Sequence, residues 1–183
     1  AEGLLAPYDD EEKPDAMLDM ALARIRQLSA HEVGHTLGIQ HNMAASTQGR
    51  ASVMDYPHPL IRIDDDGNID LSDAYDDGIG EWDERVVLWG YQDFLEGVDR
   101  QAARDQIMAE TIDAGLVYVS DPDSRPVSSS NPLGNLWDNG ADSIEELEKL
   151  LRVRTIAMRN FSAENIRPGQ PMSKLEEVLV PIY

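Results

Sequence analysis

The sequence contains no cysteine, which excludes disulfide bonds and thiolate metal ligands. Basic residues are scarce: 15 lysine and arginine side chains are outnumbered by 35 aspartate and glutamate side chains, leaving a formal net charge of −20. Nucleic acids and anionic membrane surfaces bind cationic patches, so neither is expected as a partner. No apolar run approaches the length of a membrane span, and no basic-then-apolar signal peptide opens the chain.

What remains is the composition of a globular protein. The chain has 183 residues, of which 42% are hydrophobic, and this is sufficient for one domain with a sizeable core. We therefore predict a single domain over residues 1–183. The chain begins at Ala1 rather than at a methionine, so we expect it to be an excised or processed piece of a longer protein.

Only four histidines occur, and three of them lie in the stretch His-Glu-Val-Gly-His-Thr-Leu-Gly-Ile-Gln-His that begins at His31. Residues four apart on an α-helix lie on one face, so His31 and His35 can direct their imidazoles at the same point. Gly38 stands where the helix would end, since glycine adopts left-handed conformations easily, and the chain can then return His41 as a third ligand. Three imidazoles with an open fourth position are typical of a catalytic zinc site.

Apolar residues recur with helical spacing over most of the chain, which predicts a mainly α fold. The lead-in over residues 1–13 is extended and acidic, and we predict that the loops span residues 39–60 and 121–140. The fourth helix is expected to pack through Leu147, Leu150, Leu151, Val153 and Ile156. The predicted helices span about 14–37, 80–96, 98–114, 143–161 and 173–182, and the strand candidates are 61–63 and 116–119.

The motif from His31 to His41 has the form HExxHxxGxxH and resembles the metzincin signature of zinc metallopeptidases. In metzincins a methionine-containing turn, the Met-turn, lies beneath the zinc, and Ser52-Val53-Met54-Asp55-Tyr56 resembles that turn. The segment 80–91 resembles the helix that follows it. The resemblance implies a metzincin-like domain with the active-site helix and third ligand over 14–41 and the Met-turn over 52–57.

Three further stretches, Met54–Pro57, Leu71–Tyr75 and Trp137–Gly140, are similar to a bacterial family of large extracytoplasmic met-zincin peptidases. This similarity implies a periplasmic or secreted location. Metzincins place a β-sheet before the active-site helix, whereas only about thirty residues precede His31 here. We therefore expect little sheet, because the N-terminal sheet is absent from this chain. The upstream part of the same polypeptide would be a partner, and residues 98–183 would form a helical C-terminal extension of unknown role.

The resemblance also assigns roles. His31, His35 and His41 would hold one Zn²⁺, and Glu32 would act as the general base toward the zinc-bound water that hydrolyses a peptide or protein substrate. Tyr56 matches a tyrosine that stabilises the oxyanion in some metzincins, although a tyrosine packed before Pro57 is an equal alternative. Met54 would be a hydrophobic floor rather than a ligand.

Other interpretations stay open beside this metalloendopeptidase. The chain could be a non-catalytic zinc-binding or interaction module with a vestigial metzincin site, although a purely structural site has no need of Glu32. The fourth histidine, His58, is expected to be a loop residue and not a ligand. Calcium is an alternative use for two acidic groups, although turn-forming surface residues explain them as well. These groups are Asp64, Asp65, Asp66, Asn68 and Asp70, and the pair Asp121 and Asp123.

Overall fold

The computed structural model describes Leu4 and residues 15–183. It is 48% helix and 2% strand, which confirms the mainly α fold. The predicted lead-in, apart from Leu4, and the predicted helix start at Pro14 lie outside the described residues. The helices are α1 (Asp15–Thr36), α2 (Glu81–Tyr91), α3 (Arg100–Asp113), α4 (Asp121–Ser124), α5 (Ser143–Asn160) and α6 (Lys174–Leu179), and the strands are β1 (Arg62–Ile63) and β2 (Ile69–Asp70).

The chain divides into two compact units, and the single domain stays a prediction. The first unit comprises residues 1–24, 59–75 and 143–183. Its strands β1 and β2 pair antiparallel, with Arg62 opposite Asp70, around a turn in which Gly67 has a φ of 84°. Its two core clusters are Ile61, Leu71, Ala74 and Val153, and Ala157, Ile166, Val178 and Ile182.

The packed side of α5 agrees only in part with the predicted one. Val153 is buried as predicted, and Leu150 and Ile156 are half-buried, whereas Leu147 and Leu151 are exposed. Ala157, which was not predicted to pack, is buried one helical turn after Val153. Val153 and Ala157 lie where the hairpin and α6 pack against α5, so Leu147 and Leu151 do not belong to the buried side.

The second unit comprises residues 25–58 and 76–142. Helices α2 and α3 pack against each other, and Trp82 is buried at the start of α2 while Leu88 and Trp89 remain 44% exposed. The main core cluster of the unit consists of Ala45, Ala51, Val53, Met54 and Trp82, and a second one of Met43, Ala44 and Val119.

The predicted strand at 116–119 is wrong, because side chains take most of the hydrogen bonds that a neighbouring strand would make. The Val117 N–H donates to the Gln48 side chain, and the Val117 carbonyl accepts from the Asn42 amide. The Val119 N–H donates to the side-chain oxygen of Asn42. The segment therefore forms no ladder with a neighbouring strand.

Helix α1 is buried along a polar side. Its buried residues are Gln27, His31 and Gly34, which follow one another at helical spacing. Its apolar stripe is largely exposed, with Leu18 at 60% and Ile25 at 59%. The packed side of α1 is therefore the side that carries the first histidine. In the described part of the chain, no helix is both long and apolar enough to cross a membrane.

Candidate metal centre

The end of α1 sets the path of the histidine segment. Gly38 has a φ of 79°, a conformation that favours glycine. The Gly38 N–H donates to the His35 carbonyl at 2.9 Å, and the Ile39 N–H donates to the Gly34 carbonyl at 3.1 Å. This pair of bonds is a Schellman C-cap. The chain turns back at this cap, in the manner that the glycine predicted, and His41 returns to the helix.

The structure brings the three histidines of the motif together. One ring nitrogen from each lies within 4.8 Å of the others. The Nε2 atoms of His35 and His41 are 3.1 Å apart. Three nitrogens at about 2.0–2.1 Å from a tetrahedral zinc would be roughly 3.4 Å apart, so this spacing is close to the one that a single metal ion requires.

Each imidazole is held at its other nitrogen by a hydrogen-bond acceptor. The Nδ1 of His31 lies 2.7 Å from the Val53 carbonyl oxygen, and the Nδ1 of His35 lies 2.9 Å from the Ile39 carbonyl oxygen. The Nδ1 of His41 lies 2.7 Å from Oδ2 of Asp121. A ring that donates from Nδ1 carries its lone pair on Nε2. All three Nε2 lone pairs are thereby available to one metal ion.

The environment of His31 favours the neutral, metal-binding form of the ring. His31 is 1% exposed, and its buried Nε2 has no hydrogen-bond partner among the described residues. Burial lowers the pKa of His31, and the neighbouring His35 and His41 lower it further, against the opposing effects of the Val53 carbonyl and Glu32. A buried nitrogen without a partner is expensive in water-excluded surroundings, and a bound metal ion would satisfy it.

The Ser52–Tyr56 segment is fixed by Asp83 at the start of α2. One Asp83 oxygen accepts from the Ser52 hydroxyl at 2.5 Å, and the other accepts from the Val53 and Gly80 N–H groups, each at 2.8 Å. The Val53 carbonyl oxygen in turn accepts hydrogen bonds from the His31 ring and from the Gln27 side-chain amide. A buried carboxylate with these donors holds the acceptor of the first histidine in place.

Met54 packs directly against α1. It is 0% exposed, and a Cβ atom built on Gly34 would lie 2.2 Å from its sulfur. Glycine weakens a helix by about 1 kcal/mol relative to alanine, and here it admits the methionine between the first two histidines of the motif. Met54 therefore lies against α1 at Gly34, and its role as a hydrophobic floor beneath the metal stays a prediction.

Tyr56 and Trp137 form an aromatic wall beside the histidines. The Tyr56 ring centroid lies 5.0 Å from that of His31 and 4.7 Å from that of His41. The Trp137 ring lies 5.5 Å from the Tyr56 ring, and the backbone N–H of Trp137 donates to the Tyr56 carbonyl at 2.8 Å. Trp137 has a φ of 61°, which is rare outside glycine and asparagine.

The other candidate residues are not members of the three-histidine group, although Asp121 contacts one of its histidines. Glu32 is exposed on α1, next to His31. His58 is not part of the three-histidine group, and its carbonyl accepts from the Asn139 side chain. The Asp64 carboxylate accepts from backbone N–H groups of its own turn. Asp121 contacts His41 while Asp123 contacts Ser120, and calcium at this pair stays a prediction.

The sequence analysis assigned no role at the centre to four residues that surround it. Gly34 carried a local signal, since a glycine inside a helix suggests close packing. Asp83 carried a weaker one as an acid in the first turn of α2. Asp121 lies 80 residues from His41, and no pattern in the sequence joins them. Asp55 is 3% exposed, and burial raises its pKa to about 7, helped by the charge of Asp138, against the Tyr56 and Ser46 N–H groups.

A family model described as Met-zincin matches residues 13–183. This chain belongs to the Met-zincin family. Neither a curated protein nor a solved structure matches it. The match extends over the histidine motif, the Ser52–Tyr56 segment and Asp121, so the Met-zincin assignment includes every part of the centre described above. The three histidines of this Met-zincin domain could hold a metal ion, and their donor set fits one.

Proposed function

We propose that this Met-zincin chain carries the zinc centre and the general base of a metalloendopeptidase. The observation that supports the proposal is the arrangement of the imidazoles. The Nδ1 atom of each ring is hydrogen-bonded to an acceptor, which leaves the Nε2 atom of each ring to bind the same metal ion. Imidazole nitrogen suits zinc, and neutral rings with fixed tautomers are the usual form of zinc ligands.

The residues divide the work of peptide hydrolysis among them. Zinc, when bound, supplies a Lewis acid that polarises a carbonyl and lowers the pKa of water toward about 7. His31, His35 and His41 hold it and leave room for substrate. Glu32 takes a proton from the attacking water and passes it to the leaving amine, as a solvent-accessible carboxylate beside the ligands can do. The Tyr56 phenol stabilises the negative charge that develops on the substrate oxygen.

The broader setting follows the family resemblance. The substrate is a peptide or protein, and the upstream part of the same polypeptide contributes to the cleft. We propose a periplasmic or secreted location on the same ground. Calcium in the acidic loop around Asp64 stays a prediction.

The decisive experiment compares Glu32→Gln with Asp19→Asn, a matched loss of one exposed carboxylate on the same helix. The measurements are zinc content and hydrolysis of a peptide library, with and without a chelator. We expect the Gln variant to retain zinc and to lose a factor of about 10²–10⁴ in kcat, while the Asn variant stays fully active. Removing zinc with the chelator should abolish peptide hydrolysis by both the wild type and Asp19→Asn.

Two results would contradict the proposal. If Glu32→Gln cleaves peptides at the unaltered rate, the general-base role is wrong. If the wild-type chain binds zinc tightly but hydrolyses no peptide, even when joined to its upstream part, the site is that of a non-catalytic module.

A further inference from the structure

His41 differs from the other two histidines in how it is held. It is the one ligand of the motif that lies outside α1, so the helix does not orient it. Its Nδ1 partner is also a side chain, Asp121, rather than a backbone carbonyl. A carboxylate that accepts from a ligand imidazole forms a stronger, charge-assisted bond than a carbonyl does.

The segment that carries Asp121 is attached to the residues directly after His41. Asn42 is fully buried, and its amide donates to the Val117 carbonyl at 2.9 Å while its oxygen accepts from the Val119 N–H at 3.1 Å. The Met43 N–H donates to the Val119 carbonyl at 2.8 Å. These bonds place Asp121, two residues further on, beside the ring of His41.

Asp121 has a second partner, but that contact is weak. Its other oxygen lies 3.4 Å from a guanidinium nitrogen of Arg125, and the side chains of both are about half exposed. Exposed pairs of this kind contribute little. The contact with His41 is shorter, at 2.7 Å, and the His41 side chain is only 18% exposed.

From this geometry we propose that Asp121 is a positioning residue of the metal centre. It fixes the tautomer and the ring orientation of His41, so that Nε2 presents its lone pair to the metal. The proposal rests on the proposed function only in taking His41 as a ligand. It also gives a role to residues 116–121, because that segment delivers the carboxylate to the third histidine.

The test measures zinc affinity by chelator competition, so it needs no peptidase activity. We expect Asp121→Asn to weaken zinc binding by roughly 10–100-fold, the usual effect of losing the partner of a ligand histidine. Asp121→Glu, which keeps a carboxylate, should recover part of the loss. Asp123→Asn is the matched control. It removes a carboxylate from the same short helix, but that carboxylate accepts a hydrogen bond from Ser120 and does not contact His41.

A second measurement separates positioning from a general loss of structure. Nitrogen-15 shifts of the histidine rings in the metal-free chain report which nitrogen carries the proton. In the wild type the His41 proton should reside on Nδ1, and in Asp121→Asn the population with the proton on Nε2 should rise while thermal unfolding stays close to that of Asp123→Asn. The visible spectrum of the cobalt-substituted variant should shift as the coordination changes.

The proposal is overturned if Asp121→Asn binds zinc as tightly as the wild type with an unchanged His41 tautomer. It is also overturned if Asp123→Asn weakens zinc binding equally. A His41→Ala variant distinguishes this failure from that of the proposed function. If His41→Ala loses zinc while Asp121→Asn keeps it, only the positioning role is wrong. If His41→Ala binds zinc as tightly as the wild type, the assignment of His41 as a metal ligand is wrong, and the proposed metal centre with it.

Discussion

Replacing Gly34 with alanine is expected to damage the centre while altering none of its polar groups. The new Cβ would lie 2.2 Å from the Met54 sulfur and 3.2 Å from its methyl carbon. Favourable carbon contacts begin at about 3.5 Å, so one of the two residues must move. Met54 is fully buried and has no solvent to move into. The Met54 side chain must therefore repack against its buried neighbours, or α1 or the Ser52–Tyr56 segment must shift, and both of these segments position His31.

The magnitude follows from two opposing effects. Overpacking in a core costs about 1–3 kcal/mol, and a contact this short with a fully buried partner belongs at the upper end. Alanine regains up to about 1 kcal/mol of helix propensity. We therefore expect a net loss of about 2 kcal/mol in the free energy of unfolding. Gly90→Ala is the matched control, since it lies in α2 with nothing within 4 Å of its built Cβ, and it should stabilise the chain slightly.

The assay is urea unfolding of both alanine variants, each also prepared in a Met54→Ala background. Removing the methionine side chain removes the obstruction, so Gly34→Ala should become harmless or mildly stabilising there. Zinc affinity should fall in Gly34→Ala alone and not in Gly90→Ala. The packing explanation is refuted if Gly34→Ala is as benign as Gly90→Ala, or if it costs the same with and without Met54.

Two further predictions concern two buried carboxyl groups near the centre, those of Asp55 and Asp83. The pKa of Asp55 is raised from 3.8 to about 7 in the folded chain, so its contribution to stability is complete below about pH 4 and is lost as the pH rises through about 7, by up to about 4 kcal/mol. Asp55→Asn should flatten this part of the pH profile of unfolding, and an unchanged profile would contradict the buried carboxyl. Asp83→Asn should cost about 2–3 kcal/mol, because a charged acceptor of the Val53 and Gly80 N–H groups is lost; urea unfolding measures it, and a loss no larger than that of the exposed Asp19→Asn would argue against this role.

Local features of the centre could be predicted from the sequence, and distant ones could not. The spacing of His31 and His35 and the turn at Gly38 depend on helix geometry within a few residues. The helix predicted over 14–37 is observed as Asp15–Thr36 because its apolar periodicity is also local. The buried side of that helix was not predictable, since apolar spacing indicates a helix and says nothing about which neighbours pack on it.

The contacts that complete the centre join segments far apart in the chain. Asp121 meets His41 across 80 residues, and Asp83 meets Val53 across 30. The segment 116–119 resembled a strand because three of its four residues are β-branched or aromatic, namely Val117, Tyr118 and Val119. Most of its hydrogen-bond partners are the side chains of Asn42 and Gln48, which no propensity scale describes.

Two of the three acceptors that orient the imidazoles belong to the main chain, at Val53 and Ile39. No side-chain substitution at those two positions deletes the acceptor itself, so of these three acceptors a mutational scan can remove only Asp121. Replacing the following peptide bond with an ester, which makes the carbonyl a poorer acceptor, is the change that reaches them. A designer who transplants this centre into another scaffold must therefore copy two backbone paths as well as the side chains of the motif.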